Sequence, residues 1–248
     1  MINIAIIIPC YNEENRLTSY NIEQILKKEK VTIYFANDGS TDNTQQIIDD
    51  ICNNNKNCYS LNYLANEGKS KTIFKSVNKL LLEDKFDYIG YFDADFSTPA
   101  DQLDLIVDYV NSNKPKFIFA SRIKKLNAVI LRKTYRHYIG RFILTLINLK
   151  FNLSIYDTQC GCKIFSKEIL TQSFSKDFIT NWLFDVEIFI RLKNKGLLNE
   201  GVEFPIDEWK DIDGSKLKIT HFFKIFKEIT SLYTSYNHDE KTFKFDKK

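Results

Sequence analysis

Through the first half of the chain, short unbroken apolar runs alternate with longer segments whose apolar residues return at helical spacing. The runs NIAIIIP, VTIYFAND, CYSLNYLA, YIGYFDAD and KFIFASR read as five strands buried on both faces. Between them, residues 13–29, 40–54, 68–84 and 98–113 carry apolar positions three and four apart and read as helices. Ser40 or Thr41 stands where it would cap the second helix with Asp42 in its first turn, and Pro99 stands near the start of the fourth. This alternation predicts an α/β fold, a mainly parallel central sheet flanked by helices, in a single domain over residues 1–237. Ligands of such sheets bind beyond the carboxyl ends of the strands. Four polar clusters fall there: PCYNEE, NDGSTDN, NEGKSK and DADFSTP.

The pattern changes after Arg122. Residues 122–150 contain eight Lys or Arg and no Asp or Glu, interleaved with Leu, Ile, Phe and Tyr. The domain therefore divides into halves of different character, about 1–122 and about 123–237, followed by a lysine-rich tail, 238–248, expected to fray.

Composition narrows the function classes. With 44% hydrophobic and 27% charged residues over 248 positions, the chain is a soluble globular protein rather than a disordered one. A net charge of +3 is too small to indicate a nucleic-acid partner. Five cysteines without CxxC spacing and three histidines form no metal-ligand pattern, which predicts reduced thiols. The amino terminus has no basic n-region, and the longest later apolar stretch is broken by Arg141 and Lys150. Neither a signal peptide nor a membrane span is predicted, so a cytoplasmic location is expected.

The chemistry concentrates in YFDADFSTPADQL, residues 91–103. In an extended strand Asp93 and Asp95 point to the same face. Two hard oxygen ligands suit Mg²⁺ or Mn²⁺, whose shell is completed by substrate phosphates and water. A metal held this way would neutralise charge developing on a departing diphosphate. Asp38 sits at a strand end before Gly39, where a carboxylate can meet a base N–H. In NEGKSK, Asn66 precedes a glycine turn opening a helix, whose free N–H groups favour anions beside Lys69 or Lys71.

Together, IIIPCYNEE, NDGSTDNT, NEGKSKTI and YFDADFSTP resemble the family 2 glycosyltransferases of the GT-A fold. The stretch from Ser121 to Phe165, with the later WLFDVEIFIRL and DGSKLK, looks like the dolichyl-phosphate β-glucosyltransferases and related polyprenyl-phosphate glycosyltransferases. The resemblance covers roughly residues 3–220. It implies an inverting transfer of a hexose from a nucleotide sugar, with UDP-glucose the first choice of donor. It further implies that Pro9, Tyr11 and Glu13 lie by the nucleoside and that Asp38 reads the uracil. Asn66 and Lys69 would border the donor pocket, Asp93 and Asp95 would serve ribose, diphosphate and metal, and Arg122 would meet phosphate. The first half then holds the nucleotide sugar and the second the acceptor.

What the acceptor is decides what else the site needs. A sugar hydroxyl requires a carboxylate to take its proton, and Asp157, Asp185 and Glu187 are the candidates. If the segment is helical, Asp185 and Glu187 point to different faces and only one can serve. A lipid phosphate, with a second pKa of about 6, is already largely the dianion at neutral pH. It needs cations, which Arg132, Arg136 and Arg141 supply. The same interleaving of cations and apolar residues suits a helix lying in a lipid headgroup region, and HFFKIFKEITSLY offers a second. Because the chain opens on its first strand, without the membrane anchor that precedes it in eukaryotic members of the subgroup, membrane contact is expected to be peripheral, on the cytoplasmic face.

Three alternatives are distinguishable. A family 2 enzyme acting on a sugar hydroxyl in surface-polysaccharide or other cell-envelope glycan synthesis would need one of the three carboxylates as base. A nucleotide-sugar-binding peripheral membrane module without catalysis would not keep all of Asp93, Asp95, Asp157 and Asp185. Nucleotidyltransferases and nicotinamide dehydrogenases are set aside because no glycine-rich loop follows the first strand.

Overall fold

The computed structural model describes residues 2–26, 31–212 and 220–236. A seven-stranded sheet forms the centre, in the order β3-β2-β1-β4-β7-β5-β8. Strands β1 (Ile4–Cys10), β2 (Val31–Asp38), β3 (Cys58–Tyr63) and β4 (Tyr88–Phe92) are parallel to their neighbours among these four. The pair β5 (Phe117–Ser121) and β8 (Gly201–Pro205) is also parallel, while β7 (Cys162–Ser166) runs antiparallel between β4 and β5. A separate short ribbon joins β6 (Val129–Leu131) to β9 (Glu208–Lys210).

The continuous apolar runs follow from burial on both faces. In β1, Ala5 and Ile7 join one core cluster and Ile4, Ile6 and Ile8 the other. Helices α1 (Ser19–Leu26), α2 (Thr44–Asn53), α3 (Lys69–Glu83) and α4 (Ala100–Asn113) make the first-half crossovers. The second half adds α5 (Thr134–Phe151), α6 (Lys167–Ser173), α7 (Phe184–Asn194) and α8 (Thr220–Ser235). No helix among the described residues is long and apolar enough to cross a membrane.

Two first-half boundaries differ from expectation for local reasons. The first helix starts only at Ser19, because Glu13 to Leu17 close their own turn, with Arg16 N and Leu17 N donating to the Glu13 carbonyl at 2.8 and 3.0 Å. The second starts at Thr44, whose N–H donates to Asp42 at 3.0 Å. The expected caps are engaged elsewhere: Ser40 Oγ donates to Asn37 and the Thr41 N–H to Asn12. The tail 238–248 and the DGSKLK segment, 213–218, lie outside the described residues.

Candidate active site

The carboxyl end of β4 and the amino ends of α3 and α7 open onto a cavity of about 760 Å³. Asp93 and Asp95 reach it by a turn rather than by strand alternation. β4 stops at Phe92, the Phe96 N–H donates to the Asp93 carbonyl at 3.3 Å, and Phe96 sits at φ +52°. A bulky residue in the left-handed region is strained, and such strain gathers at functional sites. The Asp93 N–H donates to the Gly161 carbonyl at 2.9 Å, and a side chain on Gly161 would put a Cβ 2.8 Å from the Asp93 Cβ and nearer still to its carboxylate. Asp95 accepts from the Ser97 N–H at 2.9 Å. No cluster of three or more potential metal ligands exists among the described residues. The donor set is two hard carboxylates at a cavity wall, a composition that fits Mg²⁺ or Mn²⁺ whose remaining ligands come from phosphates and water.

Lys69, the first residue of α3, lies 2.5 Å from Asp93 and over the Phe184 and Tyr91 rings at 5.7 and 5.9 Å. Burial opposes its charge, but Asp93 and Asp185 outweigh burial and raise its pKa. Asp38 is occupied differently from expectation. Its two oxygens accept from Glu67 N at 3.0 Å and Gly68 N at 2.8 Å, tying the end of β2 to the loop that opens α3. Gly39 permits this approach: it adopts φ +64°, and a Cβ there would lie 2.6 Å from the Ala65 carbonyl carbon. Pro9, Tyr11, Glu13 and Asn66 belong to the same first-half strand ends but do not line the cavity.

The second-half candidates sort by their partners. Arg122 is clamped by Asp157, which accepts from its Nε at 2.6 Å, Nη2 at 2.8 Å and N–H at 3.1 Å. Its guanidinium also lies over Trp209 at 5.0 Å. Burial disfavours the Asp157 charge, but Arg122 more than compensates and holds the carboxyl well below the usual range. Arg136 pairs with Asp211 at 2.7 Å, and Arg141 donates to the Tyr156 carbonyl at 2.9 Å. Arg132 lines the cavity with no hydrogen-bond or ion-pair partner among the described residues. Burial, then the neighbouring Arg122, lowers its pKa to about 10.

The carboxylates of α7 face different ways, as a helix requires. Glu187 is fully buried and does not line the cavity; it accepts from Ile179 N, Thr180, Arg191 and the Tyr236 hydroxyl. Asp185 does line the cavity, with its Oδ1 paired to Lys163 at 2.6 Å and accepting from the Tyr91 hydroxyl. Burial, then the Asp185 charge, pushes the Tyr91 pKa up, so it remains a donor. Sequence reasoning missed Lys163 and Tyr91. The signal was a lysine inside the apolar strand CKIFS, since a buried charge demands a partner. It also missed Glu203, which accepts from Ser121 Oγ, Asp157 N and Tyr156 N at 2.8, 2.8 and 3.0 Å.

The profile of the family described as Glycosyl transferase family 2 matches residues 5–174, a range that includes Asp93, Asp95 and Arg132 of the cavity. The chain belongs to glycosyl transferase family 2. This family 2 glycosyltransferase is 30% identical to the dolichyl-phosphate beta-glucosyltransferase of Saccharomyces cerevisiae, an alignment covering 94% of the chain and 75% of the relative. It is 26% identical to the Homo sapiens protein of the same name, over 86% and 69% of the two chains. Among solved structures it resembles glucosyl-3-phosphoglycerate synthase from Mycobacterium tuberculosis in complex with Mn²⁺, UDP-glucose and phosphoglyceric acid. That likeness has a TM-score of 0.70 at 13% identity, covers 95% and 80% of the two chains, and shows a GT-A-like fold.

Proposed function

We propose that this glycosyltransferase moves a hexose, with inversion, from a UDP-sugar to the phosphate of a polyprenyl lipid, UDP-glucose being the first candidate donor. The observation that carries the reading is Arg132, a cation without a hydrogen-bond or ion-pair partner among the described residues, lining the same cavity as Asp93 and Asp95. Beyond it the wall turns aliphatic, with Ile139, Ile143, Leu144 and Ile147 of α5 and Ile225 of α8. A phosphate head at Arg132 would leave its first isoprene units against that wall. Its dianion brings its own nucleophilic oxygen, which suits a site where Asp157 and Glu187 are already engaged. The names of the relatives support the same acceptor class.

Asp93 and Asp95 would hold a Mg²⁺ or Mn²⁺ ion, which supplies charge neutralisation for the diphosphate. Lys69 adds a fixed positive charge on the donor side, and Pro9, Tyr11, Glu13, Asp38 and Asn66 would border the nucleoside, Asp38 by shaping the loop ahead of α3. In the reaction a phosphate oxygen forms the new bond to the anomeric carbon from the face opposite the diphosphate. The anomeric C–O bond breaks, and its electron pair leaves with UDP. Exposed Tyr138 and Phe142 on α5 and Phe223 on α8, near basic residues, suit peripheral contact with a cytoplasmic membrane face.

The test is transfer of radiolabel from UDP-glucose, with Mg²⁺, into an organic-extractable product from a short polyprenyl phosphate, with Asp95→Asn as control. Lipid-soluble label lost in the variant supports the reading. UDP release without lipid label moves the acceptor to a saccharide hydroxyl, and no release from UDP-glucose removes the donor.

A further inference from the structure

Besides Asp93 and Asp95 the cavity is lined by Asp211, which pairs with Arg136, and by Asp185, whose surroundings are those of a fixed structural ion pair. Asp185 sits in the first turn of α7, is 4% exposed, and has Oδ1 taken by Lys163 and by the Tyr91 hydroxyl. Lys163 is itself 0% exposed, with its Nζ also donating to the Cys160 carbonyl at 2.6 Å and lying 5.4 Å from the Tyr91 ring centroid. The Lys163 ammonium and the Asp185 carboxylate are thus each other's buried counter-charge, and separating them is costly.

The other oxygen has a different standing. Among the described residues Oδ2 has no hydrogen-bond partner, although Asp185 is nearly buried and lines the cavity with Asp93 and Lys69. Lys69, paired with Asp93 at 2.5 Å, also lies over the rings of Phe184, the chain neighbour of Asp185, and Tyr91, its hydrogen-bond donor, at 5.7 and 5.9 Å. A diphosphate at Asp93 and Asp95 would thus carry its sugar into reach of a fixed, charge-balanced acceptor lacking a donor. An acceptor oxygen open to the cavity can take a donor from a ligand, and the donors a hexose offers are its hydroxyls.

Resting on the proposed use of a UDP-sugar, we infer that Asp185 reads a hydroxyl of the donor hexose, with Lys163 and Tyr91 as positioning residues that hold its Oδ2 toward the sugar. A site built to bond a hydroxyl rejects an epimer lacking it strongly, because its own buried polar group is then left unpaired. The readout is accordingly a ratio between donors rather than an overall rate.

The experiment compares kcat/KM for UDP-glucose with the values for its 2- and 4-epimers, UDP-mannose and UDP-galactose, in the full chain, after titrating UDP alone. Three proteins are used: wild type, Tyr91→Phe, and the double variant Asp185→Asn/Lys163→Met. The double variant removes the buried pair together, so that neither charge is stranded. In the wild type one epimer ratio is expected at about 10² or above. It falls about tenfold in Tyr91→Phe and further in the double variant, while UDP affinity stays within about twofold. Rates falling equally for all donors with the ratios kept would overturn the inference, since a general base or a purely structural role gives that result. A wild type that does not discriminate among the epimers would overturn it too. Failure of wild type to bind UDP would overturn the donor reading beneath it, which the titration registers separately.

Discussion

Gly161→Ala tests the geometry of the carboxylate pair most directly. The new Cβ would stand 2.8 Å from the Asp93 Cβ, where ordinary contact begins at 3.4 Å, so the two backbones must part by about 0.6 Å. Rotating the Asp93 side chain relieves the closer clash with its carboxylate but not this one, because the Asp93 Cβ is fixed by its own backbone. That backbone is bonded to the Gly161 carbonyl at 2.9 Å, and the carboxylate is bonded to Lys69 at 2.5 Å. Both contacts are disturbed together. A misplacement of about 1 Å at a reacting centre costs roughly 10²-fold in rate, and a loss of about that size in kcat is expected with the fold retained. The assay is UDP release or lipid transfer at saturating Mn²⁺, beside circular dichroism and a melting curve. Wild-type kcat in a correctly folded Gly161→Ala protein would refute the reasoning, because Asp93 would then tolerate displacement.

Further outcomes follow from single contacts. Arg132→Gln should raise KM for a phosphate acceptor by about 10- to 100-fold, the worth of a charge-assisted hydrogen bond, while UDP affinity in calorimetry stays unchanged. Lys163→Met alone strands Asp185 in a buried setting and should lower unfolding stability by about 3–5 kcal/mol, read from urea denaturation. Asp157 contributes to acid stability. Its folded pKa lies below the unfolded value of about 3.9, so its stabilisation is present above that pH and is lost as pH falls through the folded value. Asp157→Asn should therefore be less stable than wild type at pH 7, with the difference shrinking below about pH 4 in thermal melts.

The parallel first half was legible because its apolar runs are doubly buried and its breaks are polar. NDGSTDN and DADFSTP marked strand ends, and DADFSTP opens onto the cavity. The second half was less legible. β7 is an antiparallel insertion whose partners are 70 residues upstream at Phe92 and 44 upstream at Phe119, and nothing in its own five residues states that direction. Within the site, residue types were readable but pairings were not. Arg122 and Asp157 stood out as functional ions, yet the chain does not announce that they clamp each other. Asp38 was read as facing a ligand, and its oxygens instead meet backbone N–H groups 29 and 30 residues away. Arg132, Arg136 and Arg141 looked equivalent as a basic run; only the fold leaves Arg132 without a partner among the described residues.

The antiparallel strand β7 also decides how this chain can be divided. The sequence changes character at Arg122, which invites a cut between a donor module and an acceptor module. A fragment ending there would keep β1 to β5 but lose both neighbours of β5, since β7 and β8 come later in the chain. β4 would expose a bare edge where Phe92 and Tyr91 now pair with Cys162 and Lys163, and an open apolar edge invites aggregation. Exchanging second halves between relatives of this architecture would therefore mean exchanging part of the central sheet as well. The two halves are separable in composition but inseparable in folding.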